Sequence, residues 1–242
     1  MSDYKELKKA ISEAKKIVVF TGAGISCPPP TSIPDFRSAN GLYSERVGNV
    51  SPEEIISHSF FMAHPEEFFE FYGTKMVYKN AKYNKAHKFF ADLEKNHDVT
   101  IVTQNIDGLH QAAGSTKVYE LHGSVRRNYC MRCHKYYDVD TIDVCHVPYC
   151  ECGGIIKPDV VLYEEPLNED VVMGAIEAIS KADLMIIVGT SLVVYPAASY
   201  VRYFRGKTLC LINIDKTSYD NIAQLVYNED VIKVISALEG DK

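Results

Sequence analysis

Cysteines are the residues most plainly placed for chemistry: five of the seven, Cys130, Cys133, Cys145, Cys150 and Cys152, fall in one short stretch. Cys130-x-x-Cys133 followed by Cys150-x-Cys152 offers four thiolates in two close pairs, the set a tetrahedral structural zinc needs. Cys145 and His146 lie between the pairs, and either is an alternative ligand. Four protein ligands leave no open position for water, so the ion is expected to be structural. A redox dithiol is the competing reading. Disulfides fit less well, because the charged stretch from Met1 to Lys16 lacks the apolar run of an export signal.

A second group follows the apolar run Ile17-Val18-Val19-Phe20. Gly22-Ala23-Gly24 permits a tight turn and a close approach of backbone to a pyrophosphate. The dinucleotide fingerprint is incomplete, since Cys27 stands at the third glycine position and Pro28-Pro29-Pro30 discourages a long continuing helix. The plain alternative is a glycine turn that packs a strand against its neighbour. Downstream, Asp35-Phe36-Arg37 offers a guanidinium for a phosphate or ribose and a ring to cover a flat one; the bland reading is a loop clipped by an Asp–Arg pair. In Thr103-Gln104-Asn105-Ile106-Asp107-Gly108 the amide side chains can hold hydroxyls or a water, or Asp107 simply caps a helix. His122, in Glu120-Leu121-His122-Gly123, is the candidate general base, because an imidazole near its ordinary pKa exchanges protons at neutral pH. Its alternative is a core histidine after a strand.

These residues need elements to hold them. Short apolar runs recur at Ile17 to Phe20, Val99 to Val102, Leu184 to Val188 and Leu209 to Ile214, and each leads into a polar or glycine-rich loop. Such runs, separated by helix-like stretches from Lys85 to Asn96 and Asn168 to Lys181, predict a doubly wound parallel sheet of Rossmann-like α/β type with helices on both faces. Its loops gather at the carboxyl edge, where ligands bind. The start of the chain reads as a helix with Leu7, Ile11 and Ile17 at helical spacing. Two stretches interrupt the alternation. Residues 1–40, 85–128 and 158–242 are expected to form the sheet domain, 41–84 a helical insertion, and 129–157 the zinc module.

Hydrophobic residues make up 46% and charged residues 24%, ordinary globular usage that argues against wholesale disorder. A net charge of -6 gives no global drive toward nucleic acid, although Arg126-Arg127 is a local basic candidate. No segment approaches the roughly 18 uninterrupted apolar residues of a membrane span, so no membrane association and a cytoplasmic location are expected.

Taken in order, GAGIS, IPDFR, TQNIDGLH, ELHG, the paired cysteines and GTS resemble the sirtuin family across almost the whole chain. The resemblance implies an NAD-dependent protein-lysine deacylase: an acyl-lysine oxygen attacks the ribose carbon that bears nicotinamide, giving nicotinamide, free lysine and O-acyl-ADP-ribose. It implies His122 as catalytic base, with Asn105 and Asp107 at the nicotinamide and ribose. It adds Gly22, Ala23, Gly24, Asp35, Phe36, Arg37, Gln104 and Ile106 to the NAD site, with Gly189, Thr190, Ser191, Asn213, Asp230 and Val231 completing it. One structural zinc on Cys130, Cys133, Cys150 and Cys152 and acylated-lysine peptides as partners follow. The segment from Pro158 to Glu164, with Val161 and Tyr163, would take the peptide as an added strand.

The chain departs from the family pattern in places. Six residues separate Ser26 from Ile33 where the family usually has four, Ser32 replaces a customary glycine, and Glu164 stands where glycine is usual, favouring basic flanks in the peptide. Tyr72 and Lys75 have the spacing of the tyrosine and arginine of sirtuins that prefer acidic acyl groups, but a lysine is a point charge and not a fork; ordinary deacetylation is the favoured expectation. Mono-ADP-ribosylation and non-catalytic sensing of NAD or acyl-lysine are the rival readings.

Overall fold

The computed structural model describes residues 4–36, 41–42 and 50–240. Along the chain, α1 (Lys5–Glu13) precedes β1 (Lys16–Thr21). The helices α2 (Pro52–Ile55), α3 (His58–Ala63), α4 (Pro65–Lys75) and α5 (Lys85–Leu93) come next, then β2 (Asp98–Thr103), α6 (Leu109–Ala113) and β3 (Val118–Glu120). A second set, β4 (Gly123–Cys130), β5 (Tyr136–Asp138) and β6 (Ile156–Val160), is followed by α7 (Glu169–Lys181), β7 (Leu184–Val188), β8 (Thr208–Ile212), β9 (Leu225–Tyr227) and α8 (Val231–Glu239).

Six strands form one all-parallel sheet in the order β3-β2-β1-β7-β8-β9. Alternation of side chains along each strand explains why the runs are apolar throughout. Ile17 and Val19 face one core with Leu7 and Ile11 of α1, Phe90 of α5 and Val234 of α8. Val18 and Phe20 face the other, with Ala175 and Ile179 of α7. Helices therefore cover both faces, as expected for the fold class. Ile17 belongs to β1 and not to the first helix, which ends at Glu13. Asn168 caps α7 by accepting from the Val171 N–H at 3.1 Å, and Asn84 caps α5.

A separate antiparallel sheet, β5-β4-β6, carries the cysteine segment. Its core is shared with the helical stretch: Phe61, Phe68, Phe69 and Tyr72 pack with Val125, Val139, Val160 and Leu162. The two interruptions of the parallel sheet thus bury one aromatic cluster between them, beside the point where β6 leaves for the cavity.

Candidate active site

The loops after β1, β2, β7 and β8 meet above the carboxyl edge of the parallel sheet and line a cavity of about 1520 Å³. Gly22, Ala23, Gly24, Asp35, Phe36, Gln104, Asn105, Ile106, His122, Val161, Tyr163, Gly189, Thr190, Ser191, Asn213, Asp230 and Val231 all face it. Arg37 lies outside the described residues.

Backbone packs on backbone where the two glycine loops meet. Gly22 N–H donates to Val188 C=O at 3.1 Å and Gly24 N–H to Gly189 C=O at 2.8 Å. A Cβ on Gly24 would sit 2.7 Å from Gly189 Cα, and one on Gly189, whose φ is +60°, 2.4 Å from Ile25 N. The plain packing reading of the glycine turn is therefore correct, and it coexists with a place on the cavity wall. Only a 3₁₀ turn, Ala23–Ile25, follows the loop, as the three prolines predict. Ile33 N–H closes the enlarged loop onto Ser26 C=O at 3.0 Å.

The second loop is held from behind. Ser26 Oγ donates to Asp107 Oδ2 at 2.7 Å and accepts from Asn105 Nδ2 at 3.2 Å. Asp107 also accepts from the Leu109 N–H at 2.9 Å, a bond within the turn, since the N-cap of α6 is Gly108 and no side chain caps it; Asp107 does not line the cavity but reaches Asn105 through Ser26. Desolvation raises the Asp107 pKa above the ordinary carboxylate value, against the opposing bonds from Leu109 and Ser26. Gln104 Nε2 donates to Thr190 Oγ1 at 3.1 Å, joining the loops after β2 and β7. Ser26 was not among the sequence candidates; its signal was only its position in GAGIS.

His122 sits between the two ends of the cavity. Its Nδ1 lies 2.9 Å from the Gln104 carbonyl oxygen, which can only accept, so Nδ1 carries the proton and Nε2 the lone pair. Burial lowers its pKa below the ordinary value, with the Gln104 carbonyl opposing, which leaves the ring neutral near pH 7. Gly123 fixes the backbone behind it: φ is +76° and a Cβ would fall 1.8 Å from Asp159 O. Arg127 ties the same corner, donating to Glu120 at 2.6 Å and to Asp159 at 2.7 Å. Arg126 meets Asp140 at 3.5 Å, so both guanidiniums of the basic candidate are engaged by carboxylates.

At the other end, the extended segment after β6 is fastened to the helical stretch, with an isolated parallel bridge between Ser57 and Tyr163. Val161 N–H donates to His122 C=O at 3.0 Å, Tyr163 N–H to Ile56 C=O at 3.0 Å, and His58 N–H to Tyr163 C=O at 2.9 Å. Glu165 accepts from Leu162 N–H at 2.9 Å and pairs with Lys157 at 3.1 Å and His58 at 2.8 Å. These bonds outweigh burial and lower its pKa. Tyr72 and Lys75 do not line the cavity: Tyr72 is fully buried in the aromatic cluster, and Met76 is the residue from that stretch that reaches the wall.

The cysteines fit one ion. One thiol sulfur from each of Cys130, Cys133, Cys150 and Cys152 lies within 4.8 Å of all the others. Sγ–Sγ separations of 3.4 Å (Cys130 to Cys152) and 3.6 Å (Cys133 to Cys150) approach the edge of about 3.8 Å that Zn–S bonds of about 2.3 Å give a tetrahedron. Arg132 and Cys133 N–H groups point at Cys130 Sγ, the support a thiolate ligand needs. Cys145 and His146 stay outside this cluster, and His146 pairs with Asp143 at 2.8 Å. Among the described residues, the four paired cysteines are the one group of thiols, imidazoles or carboxylates placed to hold an ion.

Known proteins fall beside this geometry. The model of the Sir2 family matches residues 22–196. An NAD-dependent protein deacetylase of Clostridium perfringens is 56% identical over 235 residues, covering 95% of this chain and 96% of that one. One from Clostridium acetobutylicum is 52% identical over 96% of each. Among solved structures, a Sir2 with a p53 peptide and NAD+ superposes with a TM-score of 0.84 at 40% identity, covering 99% of this chain and 98% of that one. A Sir2 bound to acetylated peptide gives 0.83 at 38% identity over the whole of both. With a family model matched over most of its length and relatives more than half identical across nearly all of it, this chain belongs to the Sir2 family, the sirtuins.

Proposed function

We propose that this chain is an NAD-dependent protein-lysine deacylase that moves the acyl group of a lysine to ADP-ribose and releases nicotinamide. The observation that carries the reading is His122: a neutral imidazole on the cavity wall with its proton fixed on Nδ1 by Gln104 and its lone pair on Nε2, its own carbonyl holding Val161. Relatives named as NAD-dependent protein deacetylases and Sir2 structures holding NAD+ or acetylated peptide support it.

NAD supplies a scissile nicotinamide–ribose bond. Gly22, Ala23, Gly24, Gly189, Thr190 and Ser191 would face its phosphates and ribose with backbone N–H and hydroxyl groups, and Asn213, Asp230 and Val231 its adenosine. Gln104 orients the ribose while tied to Thr190. Asn105, braced by Ser26 and Asp107, holds the nicotinamide end, with Phe36 to cover a flat ring and Asp35 beside it, while Arg37 is kept for a phosphate or ribose. His122 Nε2 takes the proton of a ribose hydroxyl. Val161 and Tyr163 take the peptide. Lysine acetylation is the favoured modification, because Tyr72 and Lys75 do not reach the wall where they could read an acidic acyl group.

The zinc on Cys130, Cys133, Cys150 and Cys152 holds the small module together and takes no part in the chemistry. The division into a sheet domain, a helical insertion at 41–84 and a zinc module at 129–157 goes with the same reading. No helix among the described residues is long and apolar enough to cross a membrane. A cytoplasmic location, with proteins and not nucleic acids as partners, completes the proposal. Incubation with NAD and acetyl-, propionyl-, succinyl- and long-chain-acyl-lysine peptides tests it. Nicotinamide and deacylated peptide should appear in equal amounts; no product from any peptide, or ADP-ribose attached to protein without O-acyl-ADP-ribose, overturns it.

A further inference from the structure

Glu164 is the one lining residue that pairs an unusual backbone with an exposed charge. Its φ is +75°, in the left-handed region that a side chain other than glycine enters at a cost. Its carboxylate is not left to swing: Oε2 accepts from Ser59 N–H at 2.8 Å and Oε1 from Ser59 Oγ at 3.0 Å. Ser59 belongs to α3, whose neighbour His58 already holds the Tyr163 carbonyl. The charge is therefore fixed on the wall next to the strand proposed to receive the peptide. The adjacent Glu165 is different, since Lys157 and His58 offset it. No ion pair involves Glu164 among the described residues, and the described cavity wall carries no lysine or arginine. A strained residue kept at a binding surface, with a serine dedicated to aiming it, points to a recognition role.

Resting on the deacylase reading, we propose that Glu164, aimed by Ser59, selects acyl-lysine peptides with a lysine or arginine beside the modified residue. Ser59 is a positioning residue and Glu164 the specificity determinant. Because the pair forms at an exposed rim, the expected effect is modest and salt-sensitive: about a three- to fivefold preference in kcat/KM at low salt.

The test uses the full chain and acetyl-lysine peptides identical except for arginine or glutamine at the flanking positions. Wild type should prefer the arginine peptide, and the preference should shrink in high salt. Glu164→Gln should bring the ratio near one. Glu164→Gly, which suits the left-handed backbone, should do the same and guards against a folding artefact in the first variant. Ser59→Ala should lower the ratio partly, with Ser59→Thr restoring it. Glu177→Gln, removing an exposed charge paired with Lys181 on α7, should leave the ratio as in wild type. A ratio unaltered in both Glu164 variants, or lowered equally by Glu177→Gln, overturns the proposal while the deacylase reading stands. Absence of turnover for every peptide overturns the deacylase reading itself.

Discussion

The two ends of the cavity are built on different principles. At the glycine-loop end, Gly22, Gly24 and Gly189 bring two loops into backbone contact so close that one added carbon collides with main-chain atoms. At the other end, after β6, side chains do the fastening: Glu164 to Ser59, Glu165 to Lys157 and His58. Steric exclusion leaves no room for variation, because backbone atoms cannot move aside cheaply. Hydrogen bonds between exposed or half-buried groups can be exchanged for others at small cost. A chain can therefore vary the side-chain contacts after β6 while its glycine loops stay fixed.

The sharpest way to break that contrast is Gly189→Ala, which meets Ile25 N and an unfavourable φ together. A loss of about 3–5 kcal/mol in stability is expected, read from the urea midpoint; a cost under about 1 kcal/mol would mean that the loops are not mutually packed. Between the two ends, His122→Ala should lower deacylation by about 10²–10⁴-fold without a matching fall in melting temperature. In the wild type the acid limb of kcat/KM should lie below the ordinary histidine value of 6.5, since burial lowers the His122 pKa.

That same burial has a consequence for stability. His87, pushed down to about 4, and His122 take protons more readily when unfolded, so stability should be full above pH 6.5 and fall as pH drops below it. After β6, Glu165→Gln should cost about 1–3 kcal/mol. Glu165 has a lowered folded pKa, so its contribution is present above its ordinary value of 4.5 and lost as pH falls through the folded one. The gap between wild type and variant should therefore close in acid, as pH-dependent melting would show. The smallest effect belongs to Ser32→Gly. With φ at +53°, relief of strain against the added freedom of the unfolded chain should leave a gain of about 0.5 kcal/mol; a loss of more than about 1 kcal/mol would show that the Ser32 side chain has a role of its own.

Much of the architecture was legible beforehand, and for local reasons. The four long apolar runs became β1, β2, β7 and β8 because strands buried on both faces show no polar alternation to hide them. The edge strand β9, three residues long, was not anticipated, since so short a segment carries no period. Cys130, Cys133, Cys150 and Cys152 were readable because ligand spacing is a local property, whereas excluding Cys145 and His146 required knowing where the chain between the pairs goes. Tyr72 and Lys75 were the weakest reading: helical spacing placed them one turn apart but could not say which side of α4 meets the cavity, and the aromatic cluster took Tyr72 inward.

The sequence by itself determined the fold class, the candidate thiols and the loops gathered at one sheet edge, because apolar period, thiol spacing and strand-to-loop order are all written along the chain. Tertiary structure alone decided that Gly24 must be glycine because of Gly189, that Asp107 acts through Ser26, that Gln104 fixes the tautomer of His122, and that Ser59 aims Glu164. Each of these is a contact between residues far apart in sequence, whose strength depends on distance and burial, and none exists until the chain has folded.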